Sequence, residues 1–145
     1  MSEKKFWNEK IETLPREKLE ALQLKALKEE LAFAYANSPY YRRAWQEAGV
    51  SPDDVKTLSD IAKLPFVDKK TQRDTQGVGS FLGELAAVPE EEVVFVSTSS
   101  GSTGVPTMSP FTKRDFDEWQ DVESRLFWGA GMRENDRYVH ALNFS

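Results

Sequence analysis

The 145-residue sequence has no cysteine and a single histidine, His140. Without thiols there is no disulfide framework, no thiolate nucleophile and no cysteine-ligated zinc, and one imidazole does not by itself build a metal site. Long apolar runs are also missing, since no stretch approaches the roughly 20 apolar residues of a membrane span. The opening segment, Met1 to Pro15, is charged and lacks an apolar run of roughly 7–15 residues, so no secretory signal is predicted and a cytoplasmic location is expected. Nor is there a concentration of positive charge. Nineteen Lys and Arg stand against 24 Asp and Glu, a net charge of −5. The basic residues are scattered along the helical stretches, so nucleic acid is not an expected partner.

What is present suffices for a folded domain. Hydrophobic residues make up 39% and aromatic residues 12% of the chain, more than a disordered sequence carries. Leu19, Leu22, Ala26, Leu27, Leu31, Ala34 and Tyr35 recur at three- and four-residue spacing and predict an amphipathic helix over 16–35. Pro15 suits its first turn, and Ser38-Pro39 stops it, because a proline ring disfavours helical geometry at the residue before it. A second helix is expected over about 40–48 with Gly49 as a left-handed cap, followed by a turn at Ser51-Pro52-Asp53-Asp54. Thr57 and Asp60 form a capping pattern, and Asp68 caps a short piece through Arg73. Gln76 to Val88 has no clean period and reads as loop.

The pattern changes at Val93-Val-Phe-Val96, an apolar β-branched run that predicts a buried strand. Thr112 and Asp115 then open a helix whose buried stripe is Phe116, Trp119, Val122 and Leu126 and which ends near Gly129 to Gly131. Arg137 to Leu142 is expected to be a second strand. The fold class read from this order is α/β. A mainly helical lead-in over 1–75 and a loop-rich 76–92 precede a βαβ unit over 93–145 that starts a parallel sheet. Trp45, Trp119 and Trp128 read as core or interface residues, His140 as structural, and Arg42, Arg43 and Glu90 to Glu92 as solvated surface.

The segment 98–107 carries the chemistry. Ser99-Ser100-Gly101-Ser102-Thr103-Gly104-Val105-Pro106-Thr107 packs hydroxyls and glycines into a turn directly after the predicted strand. Glycine lets a backbone approach a phosphate without a Cβ in the way, while N–H and hydroxyl groups donate to its oxygens. By composition alone such a stretch is most often an ordinary flexible loop. The order is neither that of a Walker A loop nor that of a dinucleotide fingerprint.

In sequence and context this string resembles the phosphate-binding signature of the adenylate-forming superfamily, T/S-S-G-[ST]-T-G-x-P-[KT]. A second resemblance is independent of the loop. Ala34-Tyr-Ala-Asn-Ser-Pro-Tyr-Tyr-Arg-Arg43, Ala48-Gly-Val50 and Leu58-Ser-Asp-Ile-Ala-Lys-Leu-Pro-Phe66 are similar to the N-terminal region of phenylacetate-CoA ligases and their deazaflavin-adenylylating relatives. Val88-Pro89 and Phe111-Thr112-Lys113-Arg114-Asp115 with Trp119 are similar as well, so the resemblance covers nearly the whole chain. Thr107 is the usual residue of this subgroup, whereas Val105 departs from its frequent lysine.

The resemblance implies an AMP-forming ligase that activates an aryl or related carboxylic acid with ATP and Mg2+ and passes the acyl group to coenzyme A. It implies that Ser99, Ser100, Gly101, Ser102, Thr103 and Gly104 embrace the ATP β- and γ-phosphates, with Thr107 ending the loop and Pro106 stiffening its exit. It also implies an N-terminal fragment, inactive alone, because the family's adenine pocket, acidic magnesium ligand, acyl pocket and terminal lysine lie further along. No catalytic residue is assigned here, and His140 has room near an acyl pocket. Two other readings stay open: an adenylyltransferase acting on a deazaflavin coenzyme, and a non-catalytic remnant that binds a nucleotide or a partner. Unpaired apolar strands at 93–96 and 139–142 predict a homo-oligomer.

Overall fold

The computed structural model describes residues 4–99, 106–139 and 141. After a single helical turn, α1 (Glu9–Glu12), the long helix α2 (Arg16–Asn37) begins directly behind Pro15. It runs through Glu, Lys, Leu and Ala, all good helix formers. It ends at Ser38, whose extended dihedrals are those a following proline imposes. The same Ser38 opens α3 (Pro39–Glu47), its hydroxyl accepting from the Tyr41 N–H while Pro39 takes the first helical position. One fully buried serine thus stops one helix and starts the next. Gly49 closes α3 at φ +66°, in the left-handed region expected of it.

The core lies where α2 and α3 meet the turn that follows. Leu31, Trp45 and Val55 are buried, with Leu27, Tyr35, Tyr41, Ala44 and Leu64 packed around them. Tyr35 stacks on Trp45 with ring centroids 6.0 Å apart. Short 3-10 turns at Pro52–Asp54 and Leu58–Lys63 each begin with a reciprocal cap, Ser51 with Asp54 and Thr57 with Asp60. Helix α4 (Lys69–Thr75) starts at Asp68, whose carboxylate accepts from the Thr71 N–H at 2.7 Å. The loop expected over 76–88 is present.

The second half is a hairpin backed by a helix. Strand β1 (Val93–Thr98) pairs antiparallel with β2 (Met108–Thr112), from Val93 opposite Thr112 to Thr98 opposite Met108, with an irregularity between Val93 and Phe95. Helix α5 (Lys113–Gly129) leaves β2 through the predicted cap, the Thr112 N–H and hydroxyl both donating to the Asp115 carboxylate at 2.9 and 2.8 Å. Phe95, Phe111, Phe116 and Trp119 form one aromatic cluster between hairpin and helix, Phe111 stacking on Trp119 at 5.2 Å.

Three expectations are corrected here. Among the described residues the partner of β1 is the antiparallel β2, not a parallel strand across α5. Pro110 hid β2 from the sequence pattern, yet a proline is tolerated in an edge strand because its missing N–H interrupts no inner ladder. Arg137, Tyr138, Val139 and Ala141 are not in a strand, and Val139 is 84% exposed. A strand needs a hydrogen-bonded neighbour, and no described segment pairs with them. His140 and Leu142 lie outside the described residues. Finally, the α5 stripe is covered only in part, and only at its start. Phe116 and Trp119 pack on the hairpin, but Val122 and Leu126 are 57% and 66% exposed, because α5 outruns the two short strands beneath it.

Candidate functional site

The hydroxyl-rich loop hangs between the ends of β1 and β2, and its two ends are tied together. The Ser99 N–H donates to the Thr107 carbonyl at 3.0 Å. The Thr107 N–H donates to the Ser99 hydroxyl at 3.0 Å, and the two hydroxyls lie 3.2 Å apart. Thr107 is 6% exposed. Of the residues expected to hold phosphate, Ser99 and Thr107 therefore form the neck of the loop. Ser100, Gly101, Ser102, Thr103 and Gly104 lie outside the described residues. A hydroxyl that accepts one N–H keeps its own proton, so the neck can fix the loop's ends and still donate to an anion.

Two residues that the sequence pattern did not single out grip the outgoing end. Gln76, at the end of α4, donates through Nε2 to the Pro106 carbonyl at 3.1 Å and accepts through Oε1 from the Met108 N–H at 2.9 Å. Gln72, one helical turn earlier, donates to the Met108 carbonyl at 2.9 Å. A glutamine amide carries both a donor and an acceptor, as a peptide group does. Together the pair satisfies both backbone groups of Met108, at the start of β2, as a neighbouring strand would. The four-residue spacing of Gln72 and Gln76 was the signal available in sequence, since residues so spaced share one helix face.

The grip is anchored to the helical half. The Thr75 carbonyl accepts from the Glu84 N–H at 3.3 Å, and Gly83 passes so close that a Cβ there would lie 2.3 Å from that oxygen. Gly83 also sits at φ +79°, so it meets both demands that only glycine meets. The Glu84 carbonyl accepts from the Tyr40 N–H at 3.0 Å and the Ser38 hydroxyl at 2.9 Å. Its carboxylate takes both guanidinium nitrogens of Arg43 at 2.9 Å. This fork holds the Glu84 carboxyl below the usual glutamate value. Arg43, expected to be plain solvated surface, is thus a structural tie. A cleft of about 1340 Å3, lined by Leu27, Phe33, Leu85, Met108 and Arg114 among others, separates α2 from β2. Across it, α4 and the loop behind it carry the contact.

Among the described residues no group of carboxylate and imidazole side chains converges on a point where Mg2+ could sit. Among the same residues no helix is long and apolar enough to cross a membrane.

Comparison with known proteins gives the architecture its class. The chain superposes over 94% of its length on 2-hydroxyisobutyryl-CoA ligase in complex with 2-HIB-AMP and CoA, with a TM-score of 0.85 and 31% identity. On the same enzyme in its postadenylation state the TM-score is 0.84 with 29% identity. The fold is that of a segment of an adenylate-forming CoA ligase. Sequence narrows this further. Over 128 residues, 88% of the chain, it is 44% identical to phenylacetate-coenzyme A ligase of Aromatoleum evansii. It is 43% identical over 128 residues to the same enzyme of Thermus thermophilus. By sequence the chain is similar to phenylacetate-CoA ligases, and it spans 28% of the length of these two relatives. No family model matches it.

Proposed function

We propose that the loop from Ser99 to Thr107 holds the β- and γ-phosphates of ATP in an AMP-forming ligase that joins an aryl carboxylic acid to coenzyme A. The observation that carries this is the neck, where Ser99 and Thr107 close a hydroxyl- and glycine-rich loop directly onto a strand end. The similarity to phenylacetate-CoA ligases supports the substrate class. In such a reaction the acid's carboxylate oxygen attacks the α-phosphorus and pyrophosphate leaves. The thiol of coenzyme A then displaces AMP from the acyl-adenylate. The contribution of this chain is electrostatic. Backbone N–H and hydroxyl groups of the loop stabilise the charge that gathers on the departing pyrophosphate. Ser100, Gly101, Ser102, Thr103 and Gly104 supply those donors, and Ser99 and Thr107 hold them in place.

Residues 1–75, 76–92 and 93–145 act as successive parts of one large domain, in the cytoplasm where ATP and coenzyme A are at hand. The adenine pocket, the acid pocket and the magnesium ligands are contributed by other residues of the ligase. The exposed Val122 and Leu126 of α5 pack against a second copy of this chain when it stands alone.

Titration of the chain with MgATP, followed by the amide resonances of the loop, tests the reading. Binding that Gly101→Val and Gly104→Val each abolish is expected. Binding left unchanged by both substitutions would remove the phosphate role. Acid-dependent pyrophosphate exchange by a ligase containing this segment separates the acid-activating reaction from adenylylation of a deazaflavin.

A further inference from the structure

The amide of Gln76 does more than cover a strand edge. It brackets Thr107, giving a hydrogen bond to the carbonyl before it and taking one from the N–H after it. Thr107 is the residue whose N–H and carbonyl both engage Ser99. The Pro106 carbonyl, the Thr107 N–H and carbonyl and the Met108 N–H each have a partner, so these residues shift only by breaking several bonds together. The position of Gln76 is itself set from the other side. The residue before it, Thr75, is buried and receives the Glu84 N–H, while Glu84 is held by Ser38, Tyr40 and Arg43.

From this geometry we infer that Gln76 is a positioning residue for the phosphate loop. It transmits the fixed frame of the helical half to the loop's exit at Pro106, Thr107 and Met108. The inference rests on the phosphate role proposed for Ser99 to Thr107. Preorganised donors bind a developing charge without first paying to be ordered, so loosening the exit weakens the phosphate interaction although Gln76 itself touches no phosphate. The amide is required chemically. A glutamate at this position would replace the Nε2 donor by a carboxylate oxygen facing the Pro106 carbonyl, which can only accept, and would place a negative charge beside a loop meant for anions. An alanine would leave the Pro106 carbonyl and the Met108 N–H without partners.

The test is carried out on the whole chain with two readouts. The first is site-resolved amide hydrogen exchange in Gln76→Ala. The Met108 and Thr107 amides are expected to exchange faster by about three- to tenfold, the loss of a bond or two of ordinary net strength. The Val50 amide, bonded to the Trp45 carbonyl in the distant core, is expected to keep its rate. An unchanged Met108 rate, or a rise shared equally by Val50, would overturn the inference, the second because it would mark general destabilisation. The second readout is MgATP affinity. Gln76→Ala is expected to weaken it several-fold and Gln76→Glu to weaken it further. Affinity equal to wild type in both variants, with Gly101→Val still abolishing binding, would refute the positioning role and leave the phosphate loop standing. Affinity insensitive to Gly101→Val, or absent from the start, would refute the phosphate loop instead.

Discussion

Ser99 and Thr107, eight positions apart, hold one another by a pair of 3.0 Å hydrogen bonds, one from each backbone N–H. The loop between them is therefore closed at its base. A loop closed at its base loses less conformational entropy when it wraps an anion, since its ends are already together.

Replacing Ser99 by alanine leaves the Thr107 N–H without its acceptor in a part-buried position. The expected cost is about 1–2 kcal/mol of stability, read from the urea midpoint at unchanged slope. Thr107→Val keeps the backbone pair and is expected to cost less. The opposite order would show that the hydroxyl pair, not the N–H, holds the neck.

Trp45 is 3% exposed, stacks on Tyr35 and meets Tyr41 at a tilt at the centre of the helical half. Trp45→Ala is expected to cost about 3–5 kcal/mol, a large share of the stability of a domain this size. Circular dichroism should then show loss of helix at room temperature, whereas Trp45→Phe should retain it. A Trp45→Ala variant that melts like the parent would mean this cluster is not the core.

The chain's pH dependence follows from four carboxyls held below their usual values. Asp54 is held mainly by the Ser51 hydroxyl, Asp60 by Lys63 and then the Thr57 N–H, Asp68 by the Thr71 N–H, and Glu84 by Arg43. A carboxyl with a depressed folded value binds fewer protons folded than unfolded as the medium turns acidic, so acid favours unfolding. Their contribution is whole above the unfolded values of about 4 and is lost as pH falls through the folded ones. Urea midpoints should hold steady from neutrality to about pH 5 and drop below about pH 4. Asp60→Asn should flatten that drop, and an unaltered profile would show that Asp60 does not take part.

The exposed Val122 and Leu126 bear on assembly. Light scattering is expected to give a mass above that of one chain, and Leu126→Glu is expected to shift it toward the monomer. A monomeric parent would show that this face of α5 does not join two copies.

Sequence by itself determined the local events. Pro15, Ser38-Pro39 and Gly49 set the ends of α2 and α3. Thr57 with Asp60, Asp68, and Thr112 with Asp115 set the starts of later elements, all observed where expected. Caps, prolines and left-handed glycines act within three or four residues of themselves, so their effect is written where they stand. The hydroxyl and glycine loop was legible for the same reason, as an order of neighbouring residues following a β-branched run. Tertiary structure alone decided which segment pairs with β1. Met108–Thr112, interrupted by Pro110, is brought alongside by the loop closing at Ser99 and Thr107, while Tyr138 and Val139, more strand-like in sequence, are not part of the two-stranded sheet. It also decided that Val122 and Leu126 stay in solvent and that Gln76 reaches Met108, 32 positions away. A glutamine amide fits a solvated helix end and a clamped strand edge equally well in sequence. Only the distance between two segments of the folded chain tells them apart.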